Sequence, residues 1–247
     1  MAPTCGFERF LPLPSRPPVM ADQHADRTDR AAVRDTYDRI ATHFATTREY
    51  AWPEVETFVE THADRLETTH PNTVGLDLGC GNCRHAQLLA AKVEGPVIGA
   101  DVSRGLLETG RKRATERGFD VELLQADAAE LPLATDGVSL AVYVATLHHL
   151  PTHRARLASL DELARVLSPD GRALISAWST AHDRFEETDS FDTTVEWTLP
   201  GGETVDRFYH IYTPEDFERD LEESILEVLE VEVSSGNCYA TVTGTPN

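Results

Sequence analysis

Apolar residues recur at helical spacing between Arg30 and about Glu67: Val33, Tyr37, Ile40 and Phe44 fall three or four residues apart, and after a break Val55, Phe58 and Val59 resume the pattern. A stripe of that period is what a helix lays against a core, so two helices are predicted. Pro53 suits the first turn of the second, where a missing N–H costs nothing. Beyond the turn residues Pro71 and Asn72 the period changes. Short apolar runs, TVGLDLG, PVIGAD, VELLQAD, SLAVYVA and RALISAWS, alternate with helical stretches at Cys83 to about Ala91, Ser103 to Arg117 and about Arg154 to Leu167, the last followed by a predicted SPDG turn. Such alternation means a mostly parallel sheet with helices on both faces, and right-handed crossovers leave few strand orders open. A helix near Pro214 to Glu223 and two strands, ILEVLEVEV and NCYATVTG, close the chain, the strands pairing antiparallel. The predicted fold is α/β, doubly wound around seven strands.

Two stretches depart from this rhythm. Residues 180–207 are polar, carry Gly201 and Gly202, and read as an insertion over the active face. Residues 1–29 read as a disordered N-terminal extension: five prolines precede Met20, no signal-peptide core is present, and Met20 is the expected natural start. The expected domain is then 30–247.

Composition narrows the surroundings. The formal net charge is -20, from 42 acidic and 22 basic side chains, and Lys92 and Lys112 are the only lysines. That balance suggests adaptation to concentrated salt, where screening lengths near ~3 Å mute self-repulsion. It argues against DNA as a partner, since phosphate binding draws on cationic side chains; RNA in high salt would have to be gripped by stacking, shape or a few arginines. No apolar run approaches the ~20 residues of a membrane span, and a cytoplasmic location is expected. Cys5, Cys80, Cys83 and Cys238 are too scattered for a disulfide framework, and no metal site is expected, because the Cys80–Cys83 pair has no second pair to complete it.

The chemistry begins at LDLGCGNC. Gly79 and Gly81, with Cys80 between them, form a turn that can lie against a ligand, and a helix follows whose first N–H groups are free. Dinucleotide sites share such a turn. Here, however, Arg84 stands where a third glycine would be, and Asp77 precedes Gly79 by two, where a carboxylate suits an ammonium better than a pyrophosphate. Asp101 ends the second strand, twenty residues past Gly81, where an acid can accept two ribose hydroxyls. Asp127 follows the third strand and can hold an adenine amino group, with Leu131 and Leu133 as flanks. Three acids at successive strand ends favour S-adenosylmethionine (SAM) over NAD. Over about residues 74–178 the chain resembles class I SAM-dependent methyltransferases, a Rossmann-like fold. The resemblance implies that Asp77, Gly79, Cys80 and Gly81 line the methionyl side, Asp101 and Val102 the ribose, and Asp127 with Ala128 the adenine.

A narrower resemblance lies outside these motifs. YDRIATHFATTREYAWPEVETFV at 37–59, the run LHHLPTHRARLASLDELARVLSPDGRALISAW, RFYHIYTPEDFE at 207–218 and NCYATV near the C-terminus resemble the tRNA wobble-uridine carboxymethyl methyltransferases. That family methylates the carboxylate of 5-carboxymethyluridine. Cys83 and Cys238 depart from its pattern, the latter putting the local substrate wall in doubt. The resemblance implies tRNA as substrate and a small zinc-binding activator protein as partner, expected near 119–125, where FDVELLQ offers a sheet edge. Arg48 is the candidate grip on the substrate carboxylate or a phosphate. Either His148 or His149 is expected at the reacting group, the other being structural. Tyr37, Trp178, Tyr209, His210, Tyr212 and Asn237 are the candidate substrate wall. Two alternatives stay open: a small-molecule methyltransferase, and a SAM-binding module without catalysis.

Overall fold

The computed structural model describes residues 19–67 and 73–244. Its sheet is built from β1 (Gly75–Leu78), β2 (Val97–Asp101), β3 (Glu122–Gln125), β4 (Val138–Val144), β5 (Leu167–Trp178), β8 (Glu227–Ser234) and β9 (Asn237–Thr243). The order is β3-β2-β1-β4-β5-β9-β8, with the first five strands parallel and β9 antiparallel to both β5 and β8. The chain winds outward from β1 to β3 and then returns to β4 beside β1. That reversal opens a crevice at the carboxyl ends of β1 and β4, where open α/β sheets bind ligands.

Strand composition explains the order. All residues of β1 and β4 are buried, as befits central strands covered on both faces, whereas β3 begins and ends on exposed polar residues at the sheet's edge. Along β4 the two-residue period sends Ala141 and Tyr143 into one core layer and Leu140, Val142 and Val144 into the other. Helices α3 (Arg84–Ala90), α4 (Arg104–Arg117), α5 (His153–Val166) and α6 (Pro214–Glu223) cover the faces. Ser103, Thr152 and Thr213 cap α4, α5 and α6 by accepting backbone N–H groups three residues on.

The predicted architecture is the observed one, with three differences. Helix α1 runs Val19–Thr46, so residues 19–29, expected as disordered extension, belong to a helix whose Asp26 is buried against Thr152. Residues 1–18, with the prolines, lie outside the described residues. The SPDG stretch is absorbed into the start of β5, where the pairing with β4 slips between Val138 and Leu140. The insertion is an antiparallel hairpin, β6 (Phe191–Thr198) and β7 (Thr204–Ile211), turning through Gly201 and Gly202 at positive φ. Tyr37, Ile40 and Ala41 of α1 join Leu106 of α4 and Val205 of β7 in a third apolar cluster, which roofs the crevice. Helix α2 (Pro53–Glu67) packs Val55, Phe58 and Val59 against the sheet beside it.

Candidate active site

The crevice is a cavity of about 190 Å³, lined by the loops after β1, β2, β3 and β4 and by α1. Its floor is the glycine turn. A Cβ on Gly79 would fall 2.1 Å from the Thr146 hydroxyl, so this position tolerates nothing larger. A Cβ on Gly81 would meet nothing within 4 Å, which leaves space against the backbone for a ligand. Asp101 accepts the N–H of Gly81 and that of Ser103, both at 2.8 Å, and thereby ties β2 to the turn. Burial raises its carboxyl to about 6, against the pull of those two amides. Val102 and Ala128 line the same end, with Leu106 and Ala126.

Two acids behave differently from expectation. Asp77 does not line the cavity. Its carboxylate faces α3, accepting the Ala86 N–H at 2.8 Å, and burial raises it to about 7. It braces the helix that follows the turn. Asp127 lines the cavity but is ion-paired with Arg30 of α1, and accepts the Ala129 N–H at 3.0 Å. Leu131 and Leu133 belong to the core layer beneath, not to the cavity.

At the opposite end the wall is aromatic. The rings of His148 and Tyr209 stack at 4.9 Å between centroids, Trp178 packs on Tyr209 at 4.8 Å, and Tyr37 meets His149 at 5.0 Å. Hydrogen bonds settle the roles of the two histidines. His149 Nδ1 is 2.9 Å from the Phe208 carbonyl, to which it must donate, and its Nε2 accepts from the Tyr37 hydroxyl at 2.8 Å. Both nitrogens are spent on structure. His148 Nδ1 accepts the Trp178 N–H at 3.0 Å, which puts the ring proton on Nε2, and that nitrogen is buried without a partner. His148, only 1% exposed, therefore presents an orphan donor at the cavity wall. Both rings are held neutral: burial, then His149 and Arg207, press His148 well below its ordinary value, and burial presses His149 to about 3.

Cations gather at this end without counter-charges. Arg48 stacks on Phe44 at 4.7 Å, and its guanidinium donates to the carbonyl and hydroxyl of the preceding Thr47. Its carbonyl accepts the Asn82 amide at 2.8 Å, so the segment is fastened to the residue after Gly81. Arg207 of β7 is 5% exposed; it donates to the Tyr209 hydroxyl at 2.6 Å and lies over the Trp197 ring at 4.9 Å, while its Nε has no partner. Among the described residues no carboxylate forms an ion pair with Arg48, Arg84 or Arg207.

Residues 76–171 match the family profile described as "Methyltransferase domain". Over those residues the chain carries a methyltransferase domain. It is 35% identical over 155 residues to a tRNA (carboxymethyluridine(34)-5-O)-methyltransferase of Arabidopsis thaliana, covering 63% of this chain and 34% of that one. A yeast enzyme of the same name is 30% identical over 187 residues, covering 73% of this chain and 61% of its own. The corresponding protein of Macaca fascicularis is 30% identical over 175 residues, covering 71% of this chain and 24% of the relative. The chain thus matches between about a quarter and three fifths of the length of these relatives. Among solved structures, a SAM-dependent methyltransferase from Clostridium acetobutylicum superposes with a TM-score of 0.63 at 13% identity, over 85% of this chain and 96% of that one. A complex titled DhpI-SAH superposes at 0.61 with 18% identity, over 88% and 97%. The cavity fits the cofactor of this class, with room at Gly81 and a carboxylate at Asp101.

Of the predicted site residues in this methyltransferase, Tyr37, Arg48, Gly79, Cys80, Gly81, Asp101, Val102, Asp127, Ala128, His148, His149, Trp178 and Tyr209 line one cavity. His210, Tyr212 and Asn237 do not. Neighbours on β7 face opposite ways, so with Tyr209 turned inward His210 points outward to Asp192, at 2.6 Å. Tyr212 is core, its hydroxyl donating to Asp220 at 2.8 Å. Asn237 is buried where β9 begins, its amide on the Ser235 carbonyl. Cys238 is also core, so its departure from the family pattern does not touch the wall. The sequence reading missed Arg30, Trp52, Asn82, Arg84 and His85, which line the cavity, and Arg207 behind it. Trp52, Asn82 and Arg207 stand within the quoted motifs and Arg84 in place of a third glycine, but nothing local marked them as lining the site.

Proposed function

We propose that this methyltransferase transfers the SAM methyl group to an ionised carboxylate, the carboxymethyl arm of a wobble uridine in tRNA, forming a methyl ester. The observation that carries the reading is the charge of the acceptor wall. It holds arginines with no carboxylate of their own and imidazoles too weakly basic to remove a proton at neutral pH. A phenol or amine acceptor would need a base there; a carboxylate needs none, being ionised far below pH 7. SAM would supply an electrophilic sulfonium methyl: the carboxylate oxygen would form the new O–CH3 bond in line as the S–CH3 bond breaks and S-adenosylhomocysteine leaves, with no proton transferred. The chain's task is then to hold the acceptor, exclude water and balance its charge. His148 Nε2–H donates to the acceptor carbonyl or uracil edge, and Arg207 acts through the Tyr209 hydroxyl. Arg48, fastened beside the glycine turn and lining the cavity, would balance the charge of the methionyl carboxylate or of the acceptor.

The names of the curated relatives support tRNA as the substrate class. The finer reading includes a small zinc-binding activator protein as partner. Support for its place is local: β3 is one of the two terminal strands, with one backbone edge unpaired among the described residues, and Phe119 and Val121 before it and Leu123 on it are only partly buried. Transfer of labelled methyl from SAM to total tRNA, with and without such an activator, tests both parts. A base-labile methyl ester on a C5-substituted uridine is the expected product. No transfer to tRNA while SAM still binds would remove the reading, and full activity of the purified chain alone would remove the partner.

A further inference from the structure

The linker between α1 and α2, residues 47–52, carries an exposed aromatic on an unusually well-held backbone. Tyr50 is 78% exposed, the most of any large apolar side chain among the described residues. Its neighbours' carbonyls are taken up by four side-chain bonds: Asn82 to Ala45 at 3.1 Å and to Arg48 at 2.8 Å, Arg113 to Glu49 at 2.6 Å, and Arg84 to Tyr50 itself at 3.2 Å. A segment fixed in this way has little backbone entropy left to lose, yet the ring it bears rests on nothing.

The surroundings indicate what the ring is for. Arg84 lies over the Trp52 ring at 5.1 Å, and both line the cavity, so the rim beside Tyr50 is continuous with the site. Burial and then the neighbouring Arg48 lower Arg84 to about 10, against the pull of Asp77, and no carboxylate among the described residues forms an ion pair with it. In a chain of net charge -20 this is an unusual spot. The other exposed large apolar residues, Ile225, Leu229 and Val233, lie on or just before β8 at the far edge of the sheet, among glutamates.

We propose that the Tyr50–Arg84 rim is a nucleotide subsite: Tyr50 stacks on the base next to the methylated uridine, and Arg84 holds the intervening phosphate. An aromatic ring offers every base a face, and a guanidinium suits a phosphate oxygen pair, so the subsite is indifferent to sequence. This rests on the tRNA reading above and adds the surface by which a short stretch of RNA, rather than a lone nucleoside, is held. It also answers how an acidic protein grips RNA where salt weakens phosphate contacts, since stacking is not screened.

The test compares wild type, Tyr50→Ala and Tyr50→Phe on tRNA carrying the carboxymethyl precursor and on free 5-carboxymethyluridine, with SAM affinity measured in parallel. Tyr50→Ala should lose between about 5-fold and 150-fold in kcat/KM on tRNA, the range expected for one base–aromatic stack. Tyr50→Phe should keep most of it, and neither variant should change SAM affinity or the nucleoside rate. Wild-type kcat/KM for tRNA in Tyr50→Ala would overturn the subsite and leave the tRNA reading standing, as would an equal loss on the nucleoside. If wild type methylates no tRNA at all, the parent reading fails and the subsite falls with it.

Discussion

Replacing Arg207 with methionine should separate stability from activity. The guanidinium is 5% exposed and meets no carboxylate; its partners are the Tyr209 hydroxyl at 2.6 Å and the faces of Trp197 and Tyr209 at 4.9 and 5.2 Å. Losing this charge-assisted hydrogen bond costs about 1.5 to 3 kcal/mol, and losing the ring contacts about 1 to 2. Against this, removing a buried charge for an apolar side chain of similar length recovers about 1 to 4 kcal/mol. The terms largely cancel, so urea denaturation should place Arg207→Met within about 2 kcal/mol of wild type. Activity should fall. If the arginine steadies the acceptor anion through Tyr209, its loss removes a charge-assisted contact of about 1.5 to 3 kcal/mol, which is roughly 10-fold to 150-fold in kcat/KM for the methyl acceptor. SAM affinity, measured calorimetrically, should not move. Destabilisation of about 3 kcal/mol or more would refute the reasoning, because that is the cost of stripping a buried charge from a genuine partner. Unchanged turnover would refute it from the other side.

Four further outcomes follow from the site. His148→Phe should lower methyl transfer about 10-fold to 100-fold while His148→Gln, which keeps an N–H, recovers part of it; equal losses would mean that the orphan Nε2–H is not used. With both imidazoles neutral, the rate of transfer should show no histidine ionisation between about pH 6.5 and 8, and a limb that persists in Asp77→Asn, which removes the carboxyl raised to about 7, would point to a base after all. If the Asp101 carboxylate holds the ribose hydroxyls alongside the Gly81 and Ser103 amides, SAM affinity should weaken as pH falls through about 6, the value for that group. The sign for stability is opposite: a carboxyl raised above its unfolded value of about 4 makes the ligand-free fold gain stability from this group as pH falls from about 6. Titration calorimetry and thermal unfolding across pH 5 to 8 check both. Arg48→Ala should lower turnover at least about tenfold; unchanged SAM affinity assigns its charge to the acceptor, whereas a large loss reassigns it to the methionyl carboxylate.

Local pattern carried most of the fold. Alternating strand and helix periods, the glycine turn and the acid at the end of β2 are short-range features, dictated by a pleat that repeats every two residues and a turn that admits no Cβ at Gly79. The same two-residue period also distinguishes Tyr209 from His210, although the motif RFYHIY invites reading both as wall. What lay beyond the sequence was decided by partners distant along the chain. Asp77 and Asp101 look alike at the ends of neighbouring strands, but one carboxylate is consumed by the Ala86 amide and the other faces the cavity. His148 and His149 are adjacent and identical in type; only Trp178 and Phe208, bonded from two other strands, fix which ring nitrogen is left free. Arg207 is one of 20 arginines, and nothing in its neighbours marks it as the one buried without a counter-charge. Backbone period and turn sterics are set within a few residues, so the sequence alone determined them. Hydrogen-bond saturation and charge compensation are sums over everything packed nearby, and only the tertiary structure supplies that sum.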